Sequence, residues 1–419
     1  MANILIKHTK ALIDGEMIPA DIAIKDGIIL SMDGAPEGFV PDTVIDGEGK
    51  LCMPGLVNAH THAYMSLFRS YADDVAFDDW LFGRILPKED TLTPDDAYWG
   101  TMLSCIEMIK TGTTAFCDMH LFAGIPAKAA HDAGMRAVIT RGLTGSDGGE
   151  RRIAEALDEW NEWKHDPLIS GMLAPHAIYT CDEPFLHRVM EVADETGLGI
   201  NIHLSESPKE INDCYAAHGC SPVEYLAKMG MFRHKTLAAH CVHLSELDIM
   251  LLAEHGVSVA HNPKSNLKLA NGIAPVKQML DAGVNVCIGT DGAGSNNALN
   301  MFSEMNFACL LPKGINKEGD VVSAKEVLRM ATVGGAKALG LQNVGELKAG
   351  MQADLAILDL GQVAFRPLHD IAGALCYAAN GSEVETVIIG GEIVMQNGAL
   401  TKIDEEEVYY HAERITEDW

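Results

Sequence analysis

The chain has 419 residues, 47% apolar and 21% charged, which is too long for one small core and ordinary for a globular protein. Lys and Arg number 31 against 59 Asp and Glu, a formal charge of -28. Such acidity repels nucleic acid and anionic membranes, both bound mainly through basic patches, and leaves a small molecule as the expected partner.

Ten cysteines lie between Cys52 and Cys376 with no Cys-x-x-Cys pair, so they read as reduced, buried thiols rather than a disulfide framework. A strand pattern begins at once with Ile4-Leu5-Ile6, with no signal-peptide core, and no uncharged apolar run approaches a membrane span. Cytoplasm is the expected compartment.

Residues 3 to 53 alternate short β-type runs with Asp-Gly signals at Asp14-Gly15, Asp26-Gly27 and Asp46-Gly47, which is hairpin chemistry. From about residue 53 the texture becomes strand, loop, helix, repeated. Thr93-Pro94-Asp95-Asp96 opens the first clear helix: a cap, a first-turn proline and two carboxylates at the positive end of the dipole. It is expected to run to Lys110 and stop at Gly112. Strands follow at Thr113–Asp118, Met135–Leu143, Leu168–Ala174, Gly199–His203, Leu237–His240, Val257–His261 and Val284–Gly289, with helices at 125–133, 150–164 and 183–196, from Ser245, and near 276–281.

Counted from Met53, eight strands joined by helix-containing connections over about 250 residues read as a closed parallel (β/α)8 TIM-type barrel in an α/β protein. An open doubly wound sheet is the alternative. After a helix over 323–339 the β texture returns, at Asp354–Leu358, Val384–Ile389 and Glu392–Met395. Neither chain end buries a core alone, so residues 1–53 and 345–405 are expected to build one small β-sandwich domain, with 54–344 as the barrel. The tail 406–419 is acidic, ends in a short helix, and carries no function legible in the sequence.

In a barrel, chemistry sits at the C-terminal strand ends. There, Pro54-Gly55-Leu56-Val57-Asn58-Ala59-His60-Thr61-His62 ends in two histidines that period-two geometry sends to one face. His203-Leu204-Ser205-Glu206, His240 and Gly289-Thr290-Asp291-Gly292 each follow a strand-like run. The glycines around Asp291 fit no phosphate-binding fingerprint, and a carboxylate ligand at a sharp turn suits them better. His243-Leu244-Ser245-Glu246 repeats the letters of the second motif, but at a helix start where Ser245 has capping work to do, so it reads as structural. Three histidines and an aspartate suit Zn2+, Fe2+ or Mn2+, which lower the pKa of a bound water towards about 7.

Together with Ala239-His240-Cys241-Val242-His243 and His261-Asn262-Pro263-Lys264-Ser265-Asn266, these motifs resemble the amidohydrolase superfamily, in its S-adenosylhomocysteine and 5'-methylthioadenosine deaminase branch. The resemblance implies His60, His62, His203 and Asp291 as metal ligands, with Glu206 and His240 as the acid/base pair and Asp291 taking a proton as the leaving group departs. It implies one divalent ion per chain, with zinc foremost, because the Lys of two-metal relatives is replaced in Ala174-Pro175-His176. It further implies Glu89 on the ribose hydroxyls, Arg141 as a substrate-binding Arg, either Arg151 or Arg152 on an amino-acid carboxylate, and His176 against the purine. Ala174-Pro175-His176-Ala177-Ile178-Tyr179 departs from the branch's Ser-Pro-His-x-Pro-Tyr.

The implied reaction is hydrolytic deamination of an adenosine-type nucleoside to the inosyl product and ammonia, with a homo-oligomer possible. The alternatives are an amidohydrolase acting on a pyrimidine or triazine ring (a cytosine-type deaminase or a dechlorinase) and a non-catalytic binder on the same scaffold. His120 is expected to line the pocket, and His131, His165, His187, His218, His255 and His411 to be solvated. For His261 a structural and a catalytic role stand level.

Overall fold

The computed structural model describes residues 2–145 and 148–419. Eight parallel strands follow one another in sequence order around a barrel: β1 (Leu56–Thr61), β2 (Thr113–His120), β3 (Arg136–Leu143), β4 (Ile169–Pro175), β5 (Gly199–Leu204), β6 (Thr236–His240), β7 (Ser258–His261) and β8 (Asn285–Ile288). β1, β2, β6 and β7 are buried at every position, as strands covered on both faces must be. The ring closes just past its last strand, where the Asp291 N–H donates to the His60 carbonyl at 2.9 Å.

Helix Pro94–Lys110 starts where its chemistry says it should. Thr93 and Asp96 form a reciprocal capping box, and the helix gives way to Thr111 and a left-handed Gly112. Its buried face (Met102, Cys105, Ile106, Ile109) covers the barrel, and its start lies against the 3-10 turn Ala63–Phe68. Gly100 permits that approach, since a Cβ there would sit 2.5 Å from the Tyr64 carbonyl oxygen. Helices Ile125–Ala133 and Glu183–Thr196 fall on their expected residues. Helices Pro208–His218, Pro222–Met229 and Met301–Asn316 were not expected from the sequence.

The two chain ends share one nine-stranded sheet. Strand Lys50–Pro54 pairs antiparallel with Leu355–Asp359, which stitches the halves together immediately before β1. Asp14-Gly15 and Asp26-Gly27 are tight hairpin turns with positive φ at both residues. Asp46-Gly47 is a correction. The strands on either side of it, Thr43–Asp46 and Lys50–Pro54, both pair parallel with Ile4–Ile13, so no hairpin forms. Here the Asp46 carboxylate accepts the Glu48 N–H, and Gly47 serves close packing, because its Cβ would lie 2.5 Å from Thr9 Cβ. The irregularity between Ile6 and Thr9, with His8 at φ 57°, lets one strand face both partners in turn.

Among the described residues no helix is long and apolar enough to cross a membrane. All ten cysteines are buried and unpaired. The helix Glu405–Thr416 packs along Pro94–Lys110.

One buried ion pair ties barrel to sheet. Arg136 of β3 grips Asp354 bidentately, Nε to Oδ2 at 2.6 Å and Nη2 to Oδ1 at 3.1 Å, and the Gly390 N–H donates to the same carboxylate at 2.7 Å. Removing one partner strands a buried charge, at a cost of about 3–5 kcal/mol. Asp354→Ala is therefore expected to lower the urea midpoint sharply, whereas Asp213→Ala, which loses an exposed contact to Lys209 one helical turn away, is expected to leave it nearly unchanged. Equal midpoints for the two variants would contradict this reading.

Candidate metal centre

The C-terminal strand ends bring His60 (β1), His62 (just after β1), His203 (β5), His240 (β6) and Asp291 (after β8) into one largely buried cluster. Ligand atoms of His60, His62 and Asp291 lie within 4.8 Å of one another, as do those of His60, His203 and His240. His62 Nε2 and His203 Nε2 are 3.2 Å apart, and Asp291 Oδ1 is 3.3 Å from His62 Nε2 and 3.5 Å from His60 Nε2.

Outer contacts aim each group. The Met119 carbonyl accepts from His62 Nδ1 at 2.8 Å, and the His176 carbonyl accepts from His203 Nδ1 at 2.9 Å. A carbonyl can only accept, so both Nδ1 atoms carry hydrogen and both Nε2 lone pairs face the cluster. Asp291 Oδ2 accepts from Ser265 and Ser295 hydroxyls at 2.6 and 2.7 Å, which leaves Oδ1 turned to the histidines. His240 Nδ1 is paired with Asn266 Oδ1 at 2.8 Å.

The residues fit a divalent ion. Both nitrogens of the fully buried His60 lack any hydrogen-bond partner, a costly arrangement unless something else occupies the lone pair. The two Nε2 lone pairs 3.2 Å apart would repel, yet two nitrogens each about 2.0–2.1 Å from a tetrahedral zinc stand at about that spacing. Burial pushes the His60 imidazole down to about 4. Burial and the neighbouring rings hold His203 well below its usual value. Both are neutral, as ligands must be.

Glu206 lies beside this cluster and is buried. Asn271 Nδ2 donates to its Oε1 at 2.9 Å, and His240 Nδ1 is 3.9 Å from the same oxygen. Burial raises its carboxyl above the ordinary range. The loop that carries it is strained, with Ser205 at φ 53°, and so is the facing end of β6, with His240 at φ 73° and the following Cys241 at φ 48°. Glu210 steadies it, accepting the Ser205 and Glu206 N–H groups at 2.9 and 2.8 Å.

The remaining expected residues divide. Glu89 is buried and accepts from the Tyr64 hydroxyl at 2.5 Å. His176 follows β4 with its ring 4.8 Å from that of His203, and burial, with the neighbouring imidazoles and Arg152, pushes it down to about 4. Arg141 turns to Glu155 at 3.2 Å and to the Gly142 carbonyl at 3.1 Å. Arg151 is exposed and reaches Glu155 at 3.5 Å, whereas Arg152 is half-buried and approaches the Gly142 carbonyl. His120 is buried between Thr101 and Phe122, and both nitrogens of buried His261 lack partners. His411 stacks on Trp99, while the other helix and loop histidines named above are exposed. Ser245 caps its helix, and His243 donates to the Asn271 carbonyl.

Residues not singled out individually by the sequence are the supports: Ser265, Asn266, Asn271, Ser295 and Glu210. Ser265 and Asn266 lay inside a quoted motif. Asn271 carried no signal, because it contacts Glu206 only across 65 residues of chain.

A barrel with histidine and aspartate converging at its strand ends defines a metal-binding catalytic scaffold. The sequence pattern of the Amidohydrolase family matches residues 51–394. A 5-methylthioadenosine/S-adenosylhomocysteine deaminase of Pelotomaculum thermopropionicum is 47% identical over 424 residues, covering 99% of this chain and 98% of that one. An adenosine deaminase from Xanthomonas campestris with bound zinc superposes with a TM-score of 0.94 at 34% identity, covering 99% of this chain and 97% of the other. An atrazine chlorohydrolase from Arthrobacter aurescens complexed with zinc superposes at 0.90 with 25% identity, covering 99% and 100%. The chain belongs to the amidohydrolase family.

An ion held only by the folded state at a thousandfold excess over Kd stabilises it by about 4 kcal/mol. Zinc added to metal-stripped protein is thus expected to raise the melting temperature, and His203→Ala to remove most of that rise. Equal rises in both proteins would contradict the cluster as the binding place.

Proposed function

We propose that the chain hydrolytically deaminates an adenosine-type nucleoside, of the 5'-methylthioadenosine and S-adenosylhomocysteine class, to the inosyl product and ammonia. The observation that carries this reading is the Glu206 carboxylate, buried beside the histidine–aspartate cluster with one oxygen already engaged by Asn271. The 47% identity to a deaminase named for those nucleosides supports the substrate class.

His60, His62, His203 and Asp291 would hold one divalent ion, zinc by analogy with the Xanthomonas relative. Bound there, the ion supplies Lewis acidity that makes water a nucleophile near neutral pH. The single count rests on the absence of Lys from Ala174-Pro175-His176.

The protein's own groups then move protons. Water attacks the ring carbon that bears the amine, and a carbon–oxygen bond forms. Glu206 takes a proton from that water at its uncommitted Oε2 and delivers it to the adjacent ring nitrogen, which receives the electron pair of the opened C=N bond. Its raised pKa suits a group that must both accept and donate. His240, tethered by Asn266, orients the water. Asp291 passes the new hydroxyl's proton to the amine, and the carbon–nitrogen bond breaks to release ammonia. Glu89 accepts the ribose hydroxyls, His176 meets the purine, and Arg141 with Arg151 or Arg152 meets a distal carboxylate.

Replacing a general acid/base costs about 10²–10⁴-fold. Glu206→Gln is expected to lower kcat in that range while zinc content stays at the wild-type level, followed by the adenine-to-hypoxanthine absorbance change. Loss of zinc in parallel with activity would reassign Glu206 to metal binding. A bare pyrimidine or triazine ring offers no ribose for Glu89 to grip. Glu89→Ala is therefore expected to impair turnover of adenosine far more than turnover of adenine, and equal losses would favour the heterocycle alternative.

A further inference from the structure

The segment 404–419, which carries no legible function in the sequence, ends against the part of the fold that holds Glu89. Its helix Glu405–Thr416 is capped by Asp404 and fixed along Pro94–Lys110, with Glu405 paired to Lys110 at one end. His411 stacks on Trp99 in the middle, with ring centroids 3.8 Å apart and planes 4° from parallel. Val408 and Ala412 are buried in the contact. So docked, the helix delivers Trp419 to the barrel mouth.

There the indole touches two separate pieces of chain. On one side it meets Phe68 at 4.9 Å and Tyr71 at 5.5 Å between centroids. Phe68 ends the 3-10 turn Ala63–Phe68, which also carries Tyr64, and the two rings pack edge to face at 6.4 Å. On the other side the Lys88 ammonium lies 4.4 Å from the indole centroid, and Lys88 immediately precedes Glu89. Tyr64 and Glu89 are the donor and acceptor of the 2.5 Å hydrogen bond. One side chain therefore ties down both ends of the contact that aims the Glu89 carboxylate.

We propose that Trp419 is a positioning residue for substrate binding: it braces the Tyr64–Glu89 pair in the geometry that receives the ribose diol. The inference rests on the proposed role of Glu89. Trp419 touches neither the metal cluster nor Glu206, so its loss acts on the population of binding-competent pocket, and apparent affinity falls by that fraction. An aromatic pair and a partly exposed cation–π contact together account for roughly a tenfold effect.

The test is steady-state kinetics of the zinc-loaded full chain on adenosine and on 2',3'-dideoxyadenosine, which lacks the 2'- and 3'-hydroxyls and keeps the 5'-hydroxyl. Trp419→Ala is expected to raise KM for adenosine about tenfold, with kcat and zinc content near wild type and KM for the dideoxy compound little changed. Trp419→Phe, which keeps the ring contacts to Phe68 and Tyr71, is expected to recover most of the loss. Lys88→Ala, which removes only the cation–π contact, is expected to give a smaller rise in the same direction, and carries the test if Trp419→Ala does not fold. An unchanged KM for adenosine, or an equal rise on both compounds, would overturn the brace. Glu89→Gln measured alongside separates the two readings. If it raises KM for adenosine alone while Trp419→Ala does nothing, the Glu89 role stands and the brace falls; if Glu89→Gln is also silent, the Glu89 role falls with it.

Discussion

One residue closes the barrel and turns its carboxylate into the histidine cluster. The Asp291 N–H donates to the His60 carbonyl, joining the end of the last strand to the end of the first. To make that bond and still turn its carboxylate to the histidines, Asp291 adopts φ 60°, a left-handed conformation that Asp tolerates better than most residues. The glycines beside it serve space rather than torsion. A Cβ on Gly289 would lie 2.5 Å from Asn262 Oδ1, and one on Gly292 would lie 2.6 Å from the Met65 sulfur. Asn58 clamps the same seam, accepting the Thr290 N–H at 3.0 Å and donating to its hydroxyl at 2.7 Å. Ring closure and ligand convergence are one structural event.

The electrostatics follow from that convergence. Imidazoles whose centroids lie 4.9–5.5 Å from that of His60 cannot all protonate beside it, and burial keeps His60 and His203 neutral. Neutral nitrogens aimed at one point are the donor set that a divalent cation takes. The surrounding hydroxyls and amides each commit one atom of a functional group. Ser265 and Ser295 fix one oxygen of Asp291, and Asn271 fixes one of Glu206, leaving the other oxygen of each for chemistry.

What the sequence disclosed and what it hid divide along a physical line. Barrel strands were legible because buried parallel strands leave continuous apolar runs, and the clustering of His60, His62, His203, His240 and Asp291 because strand-end placement is a local property; the division of those residues into ligands and acid/base groups came only from the family resemblance. Thr93 and Ser245 announced their helices through capping chemistry. Ser207-Pro208 and Ser221-Pro222 carry the same signal as Thr93-Pro94, so the two helices they open were legible but unread. Asp46-Gly47 misled because the Asp-Gly pair describes a turn without naming the strands it joins; pairing is decided by Ile4–Ile13, nearly forty residues away. The Asn271 amide, the backbone carbonyls of Met119 and His176, and the packing of Trp419 are long-range contacts with no local signature.

The account stands most directly on the dependence of turnover on the ion that the strand-end cluster is built to hold. Metal-stripped protein titrated with zinc, its deaminase rate on adenosine read by absorbance at each addition, gives the test. The account predicts no turnover at the start, a linear rise, and a plateau at one equivalent of zinc per chain. Full turnover by the stripped protein, or a rise that continues to two equivalents, would contradict it.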